Sequence, residues 1–153
     1  VVKQALWSNP FTKGPVQSAG YILNAGSEQF IQDCVHKLQQ DHAASLLIFP
    51  EGTRTAKGEQ LNDFQRGAAN IALRAGVPIR PVLISCTPST LTKNEKWYHI
   101  PEQPFHIHVK VLDAIRVEDV LDDVTVNPKN VRQLNQQLQW FFNQELSLNE
   151  QSC

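Results

Sequence analysis

A short apolar run that ends in a polar turn constrains this chain more than any other stretch. Residues 46–49, Leu-Leu-Ile-Phe, have the length of a strand, and Pro50 ends the run. Consecutive apolar residues of this length are typical of a strand buried on both faces of a sheet. We therefore predict a buried strand that is followed, at its carboxyl end, by a turn. Open α/β sheets place their ligands at that end.

The turn collects groups that suit an anion. It supplies a carboxylate, a permissive backbone position, a hydroxyl and a guanidinium, from Glu51, Gly52, Thr53 and Arg54. The forked donors of Arg match phosphate geometry, and backbone N–H groups in a glycine turn can complete a cradle. A simpler interpretation is an ion pair between Glu51 and Arg54 across the turn. Lys57 and Arg66, which come next along the chain, favour the phosphate site.

Strand and helix patterns alternate along the rest of the chain. Helices are predicted from a cap at Ser27, from a cap at Asp63 to a stop at Gly76, and over residues 128–146. The first of these helices has one apolar stripe, made by Phe30, Ile31, Cys34, Val35 and Leu38. Strands are predicted at 19–24, 77–86 and 105–111, and two prolines make the first half of the second strand irregular. These patterns predict an α/β fold with a mixed, mostly parallel sheet flanked by helices. At 153 residues, the chain 1–153 is expected to form a single domain.

Composition excludes several classes of protein. The formal net charge of -1 gives no general attraction to nucleic acid, so no nucleic acid partner is expected. Cys34, Cys86 and Cys153 lack metal-ligand spacing and favour a reducing, cytoplasmic compartment. No apolar run approaches the roughly 20 residues of a membrane-spanning helix. The chain has no Met and opens on Val1 as though inside an element, so we expect a fragment whose natural start lies upstream.

Two stretches resemble signature blocks of the glycerophospholipid acyltransferases, the family of 1-acyl-glycerol-3-phosphate acyltransferase, and a third stretch resembles the segment between those blocks. Phe49–Thr55, Phe-Pro-Glu-Gly-Thr-Arg-Thr, resembles the third block, and Val77–Val82 resembles the fourth block at the usual distance. Phe64–Ala68 resembles the opening of the helix between them. The resemblance covers roughly residues 1–112 and adds little on the last helix. It implies an N-terminally truncated acyltransferase-like α/β domain.

The resemblance also implies an activity in phospholipid biosynthesis. A fatty acyl group would move from acyl-CoA or acyl-carrier protein, as co-substrate, to the hydroxyl of a lysophospholipid such as 1-acyl-glycerol-3-phosphate, without a metal or redox cofactor. Glu51, Gly52, Thr53 and Arg54 would bind the acceptor's phosphate, with Arg54 foremost. The further candidates for the second block and the pocket are Gly20, Arg66, Pro78 and Pro81. The two prolines would shape a wall beside the acyl or CoA path. The full-length protein would be peripheral on the cytoplasmic side of a membrane, and the fragment soluble.

The sequence departs from the family pattern in two places. In the second block, Ala25 stands near the expected position of an arginine. The first block, a His followed by four residues and an Asp, is expected upstream of Lys3 and would supply the general base and its orienting carboxylate. We therefore assign no catalytic residue to this chain and expect it to be inactive alone. His36 and Asp41 match the spacing, but positions five apart on a helix point about 140° away from each other.

Other features leave alternatives open. His106 and His108 could share a metal on one strand face, but no third ligand is evident, which favours solvent-facing positions. Residues 91–98 mix basic and aromatic side chains, as interfacial segments do, or form a loop pinned by Trp97. A non-catalytic phospholipid- or membrane-binding domain using the same turn is the alternative to the enzyme. A nucleotide-binding α/β protein is disfavoured because the Gly-rich fingerprint is missing.

Overall fold

The structure, a computed structural model, describes residues 2–24, 28–41, 43–56, 59–90, 92–93 and 102–150. Its helices are α1 Gln4–Ser8, α2 Pro10–Ser18, α3 Glu28–Gln40, α4 Gly67–Ala75 and α5 Pro128–Glu150. Its strands are β1 Val2–Lys3, β2 Leu23–Asn24, β3 Val82–Thr87 and β4 His106–Val111. A single 3₁₀ turn at Val117–Asp119 joins β4 to α5 in these described residues.

The N-terminal part forms a small parallel unit. β1 pairs with β2 in parallel, with Val2 opposite Leu23, and α1 and α2 connect the two strands. Asn9 caps α2, because its Oδ1 accepts a hydrogen bond from the Phe11 N–H at 2.9 Å. The predicted strand 19–24 is shorter than expected, since α2 runs to Ser18 and a turn follows before β2.

Helix α3 buries the predicted apolar stripe. Phe30, Ile31 and Cys34 are buried, and half-buried side chains of Val35 and Leu38 complete the same cluster. Burial raises the pKa of the Cys34 thiol to about 11, so the thiol stays protonated at neutral pH. The expected cap at Ser27 lies outside the described residues.

Helix α4 lies between two apolar clusters. Ile71 joins the cluster on α3, whereas Ala69, Ala72 and Leu73 join a larger cluster with α5. The prediction that Asp63 caps this helix is wrong: the helix begins at Gly67, and its N-cap is Arg66, which makes no side-chain capping bond. Residues 62–65 instead bond to other parts of the chain, as described below. Gly76 ends the helix at a φ of 64°, as predicted.

The longest strand pairing in the described residues is antiparallel. β3 pairs with β4 from Val82 opposite Val111 to Thr87 opposite His106. The regular strand begins only at Val82, which confirms that the first half of 77–86 is irregular. The expected mostly parallel sheet is not found among the described residues, where the parallel pair β1–β2 is two residues long. An apolar pattern specifies which side chains are buried but carries no information on strand direction.

One face of the β3–β4 pair is apolar and exposed. Val82, Ile84 and Cys86 lie opposite Val111, Val109 and Ile107 in the register, so these side chains share a face. Ile84, Ile107, Val109 and Val111 are 54% to 61% exposed. The alternation of apolar and polar side chains along 105–111 indicates a half-exposed strand, but within the described residues nothing covers its apolar face. On the other face, Leu83 is only 5% exposed.

The predicted buried strand at 46–49 is wrong in two respects. The segment is not assigned to a strand and has no ladder partner among the described residues. Leu46 and Ile48 pack against the α3 cluster, while Leu47 and Phe49 are 68% and 64% exposed. The side chains therefore alternate as in an extended chain with one covered face. A ladder requires a neighbouring strand, which the apolar run itself does not specify.

Helix α5 begins in a side-chain hydrogen-bond network and provides the main core contact. The buried Asn130 donates through Nδ2 to the Asp123 carbonyl at 2.9 Å and to Asp123 Oδ2 at 3.1 Å. Hydrogen bonds from Thr125 and Asn130 lower the pKa of Asp123. Leu134 and Leu138 are buried at the centre of the larger cluster. Among the described residues, no helix has both the length and the apolar character required to cross a bilayer.

Candidate functional site

The segment after Phe49 is a tight turn whose backbone is held at both ends. The Gly52 N–H donates to the Phe49 carbonyl at 3.1 Å, and Gly52 has a φ of 67°. The Pro50 carbonyl accepts from the Gln65 N–H at 2.8 Å. A positive φ is accessible to Gly without strain, so the glycine at this position is explained by the turn itself.

Glu51 holds the turn from inside. Its half-buried carboxylate oxygen Oε2 accepts three hydrogen bonds: from Thr55 Oγ1 at 3.1 Å, from the Asn62 N–H at 2.8 Å and from Asn62 Nδ2 at 2.8 Å. Hydrogen bonds to an ionised acceptor are stronger than neutral ones. Glu51 therefore closes the loop from residue 51 to residue 62. All three of these hydrogen bonds support the loop rather than a ligand.

The tip of the turn faces solvent. Gly52, Thr53 and Arg54 are exposed, whereas Glu51 and Thr55 on either side are half-buried. The structure thus separates the four predicted phosphate-binding residues into an internal carboxylate and an outward-facing tip. A hydroxyl and a guanidinium on the tip are the groups that suit a phosphate. Glu51 Oε2 bonds to Thr55 and Asn62, contacts that a simple ion pair between Glu51 and Arg54 does not include.

A short stretch outside the helices and strands, residues 62–65, lies next to the turn; we call it the bridging segment. On one side it bonds to the turn, through Asn62 to Glu51 and through Gln65 to Pro50. On its other side it bonds to two side-chain amides of α5, those of Asn135 and Gln139. The bridging segment therefore connects the turn to the last helix.

Comparison with known proteins identifies the family that this turn belongs to. The family model described as Acyltransferase matches residues 2–85, which is more than half of the 153-residue chain. The chain belongs to the Acyltransferase family. The match includes the whole turn and the bridging segment, and it ends within β3, before β4 and α5.

Curated relatives are named as acyltransferases of one kind. The chain is 36% identical over 86 residues to 1-acyl-sn-glycerol-3-phosphate acyltransferase alpha of Mus musculus. The aligned stretch covers 56% of this chain and 29% of that protein. It is 33% identical over 89 residues to 1-acyl-sn-glycerol-3-phosphate acyltransferase of Helicobacter pylori, covering 55% of this chain and 37% of that protein. The chain spans well under half the length of these relatives. No solved structure matches it.

The other candidates for the acyltransferase site lie in different surroundings. Gly20, at a φ of 67°, lines an open groove of about 720 Å³ together with α3, and the turn residues 51–54 do not line that groove. Arg66 is exposed directly after the bridging segment. Pro78 is exposed, but Pro81 is fully buried, so only Pro78 is placed to line an open path.

Among the described residues, neither His36 nor His108 forms a catalytic pair with the Asp at the expected spacing. His36 is exposed on α3, and the Asp41 carboxylate lies 3.9 Å from Lys37 Nζ instead. His108 and Asp113 have the same spacing, but β4 is extended from His108 to Val111, a stretch that already carries the chain about 10 Å away from His108. His106 and His108 share a strand face. No third His, Cys, Asp or Glu joins them in the described part of the chain.

The amides that support the turn were not predicted from the sequence. Asn62 lies in a polar loop, and Asn135 and Gln139 are four residues apart on α5, beside the buried Leu134 and Leu138. That spacing next to an apolar stripe is a usable signal. Many other amides on α5 hide it, however. The predicted contributions of Lys57, Trp97 and Tyr98 lie outside the described residues.

Replacing Gly52 by Ala is expected to lower the free energy of unfolding by about 1–2 kcal/mol, since an L-residue is strained at positive φ. An added Cβ would be 3.5 Å from Gln65 Cγ, an ordinary contact, so the cost is backbone strain rather than a clash. Urea unfolding measures this loss of unfolding free energy. Gly67→Ala is the matched control, because Gly67 begins α4 and a Cβ there meets nothing within 4 Å. Equal losses in both variants would contradict the explanation.

Proposed function

We propose that the full-length protein transfers a fatty acyl group from acyl-CoA or acyl-carrier protein to the free hydroxyl of 1-acyl-glycerol-3-phosphate. The observation that carries this proposal is the braced turn whose exposed tip offers Thr53 and Arg54 to a phosphate. The Acyltransferase family match and the names of the relatives support the same activity. They favour an enzyme over a non-catalytic lipid-binding domain.

The reaction converts the thioester of the donor into an oxygen ester on the acceptor. The acceptor's hydroxyl oxygen forms the new ester bond, the thioester C–S bond breaks, and the hydroxyl proton ends on the released thiol. The tip of the turn would hold the acceptor's phosphate by the Arg54 fork and the Thr53 hydroxyl, which fixes the hydroxyl relative to the thioester carbonyl. No metal or redox cofactor takes part in this scheme. Acceptor and donor meet at the cytoplasmic face of a membrane, where the protein is peripheral.

This chain would supply recognition of the phosphate, and the general base would come from elsewhere in the full-length protein. In support, within the described part of the chain, Asp41 follows α3 and lies beside Lys37 rather than in a hydrogen bond with His36, and His108 lies on an extended strand. A general base must lie within hydrogen-bond reach of the hydroxyl that it deprotonates. We therefore expect the isolated 153-residue chain to bind phosphate weakly and to transfer no acyl group.

Acyl transfer to lysophosphatidate by the full-length protein and by the isolated chain tests this proposal. The full-length protein should form phosphatidate with an acyl-CoA or an acyl-carrier-protein donor, and should discriminate against an acceptor that lacks the phosphate, such as a monoacylglycerol. The isolated chain should show no turnover above the uncatalysed rate. Vesicle binding by the full-length protein without any transfer would instead establish the lipid-binding alternative.

A further inference from the structure

The bridging segment has two hydrogen-bonded sides, and together they account for most of its backbone polar groups. On the turn side, the N–H groups of Asn62 and Gln65 donate to Glu51 Oε2 and to the Pro50 carbonyl, both at 2.8 Å. On the α5 side, the partners are the Asn62 carbonyl, the Phe64 N–H and the Phe64 carbonyl. The segment is not assigned to a strand, but on its α5 side it presents a carbonyl, an N–H and a second carbonyl in the order in which a strand presents them to a parallel neighbour.

The amide of Gln139 takes the place of that neighbour. Its Oε1 accepts from the Phe64 N–H at 2.6 Å, and its Nε2 donates to the Asn62 carbonyl at 3.2 Å. One side chain thus bonds on both sides of residue 63, as a residue in an adjacent parallel strand does. Asn135 Nδ2 adds a bond to the Phe64 carbonyl at 3.0 Å. Both amides are half-buried, which limits competition from water.

Side-chain packing also holds the bridging segment against α5. The Phe64 side chain is buried in the cluster that contains Leu134 and Leu138, and its ring meets that of Phe142 edge to face at 5.2 Å. Phe64 can therefore shift little relative to α5. The family match ends at residue 85, so α5 lies outside the part of the chain that the Acyltransferase model describes.

We infer that Gln139, assisted by Asn135, is a positioning residue that sets the place of the phosphate-binding turn from α5. The connection has two steps: the α5 amides hold residues 62 and 64, and residues 62 and 65 hold Glu51 and Pro50. Neither amide touches the substrate. The inference rests on the proposed function of the turn, and it adds that a helix outside the family match determines how well the acceptor binds.

The test compares Gln139→Ala with Gln137→Ala in the full-length protein. Gln137 is exposed on the same helix and is the matched control. Gln139→Ala should raise the KM for lysophosphatidate about tenfold, the effect of losing two part-buried hydrogen bonds. The KM for the acyl donor should stay within about twofold of the wild-type value. Gln137→Ala should leave both constants unchanged. An unchanged acceptor KM in Gln139→Ala, or an equal change in both KM values, would overturn the inference.

Hydrogen–deuterium exchange separates positioning from a merely structural role. In Gln139→Ala, peptides covering residues 49–55 and 61–66 should both exchange faster, since the second step passes the loosening to the turn. Faster exchange confined to 61–66 would show that Gln139 anchors only the bridging segment and would overturn the inference. Gln139→Glu keeps the acceptor for Phe64 but loses the donor to Asn62, so it should be intermediate, and it carries the test if the Ala variant does not fold.

The two proposals fail differently. If the wild-type protein does not acylate lysophosphatidate, the proposed function fails, while the exchange experiment still decides whether Gln139 sets the turn. If the wild-type protein is active and Gln139→Ala has wild-type kinetics and exchange, only the positioning role fails.

Discussion

Replacing Arg54 by Ala in the full-length protein is expected to raise the KM for lysophosphatidate about 30-fold, with little change in the KM for the acyl donor. Arg54 is exposed at the tip of the turn, and a charge-assisted hydrogen bond to a phosphate contributes about 1.5–3 kcal/mol. Its loss should weaken acceptor binding before it affects chemistry. Initial rates with each substrate varied in turn measure both constants.

Two further variants make this result specific. Arg54→Lys keeps the charge but loses the fork, so its acceptor KM should lie between those of the wild type and Arg54→Ala. Arg132→Ala removes an exposed guanidinium from α5, far along the chain from the turn, and should leave the kinetics unchanged. Wild-type kinetics for Arg54→Ala would remove this residue from the phosphate site, and an equal effect of Arg132→Ala would indicate a general charge effect.

Elements with a local signal could be predicted from the sequence. The stripe of Phe30, Ile31 and Cys34 identified α3, because residues three and four apart lie on one side of a helix whatever the rest of the chain does. Gly76 marked the end of α4 for an equally local reason, its positive φ. The last helix was also predicted, though it continues past residue 146 to Glu150.

Features that depend on a distant partner could not be predicted. The apolar run 46–49 indicated burial, but whether an extended segment joins a ladder depends on which strand lies beside it. In the structure, Leu47 and Phe49 remain exposed, as do Ile107 and Val109 of β4. Strand direction was equally inaccessible, because an apolar pattern indicates which faces of a strand are covered and does not identify the strand that lies beside it.

In the candidate site, too, the local feature could be predicted and the long-range contacts could not. The letters of residues 49–55 were sufficient to locate the turn and to single out Arg54. Its support was not predictable, because Glu51 is held by Asn62, and Asn62 by Gln139, which is 77 residues away in the sequence. The sequence around one partner of such a hydrogen bond does not identify the other, even though the spacing of the two amides on α5 is visible. This difference changes the interpretation of Glu51, which the family resemblance grouped with the phosphate-binding residues.

Glu51 makes two interpretations testable. If Glu51 contacts the substrate or takes part in chemistry, its negative charge matters. If it braces the turn, what matters is an oxygen that accepts the bonds from Thr55 and Asn62. A carboxylate beside a phosphate would also repel it, so the brace is the interpretation that electrostatics favours.

Glu51→Ala is therefore expected to lower kcat/KM for lysophosphatidate about 100-fold, equivalent to about 3 kcal/mol, because it leaves the N–H and amide of Asn62 without their acceptor. Glu51→Gln retains an acceptor oxygen of the same reach and should stay within about threefold of the wild type. Steady-state kinetics of the two variants, with thermal unfolding as a check on folding, compare these outcomes. A Gln variant as impaired as the Ala variant would show that the charge itself is required, and the brace would then be the wrong account of Glu51.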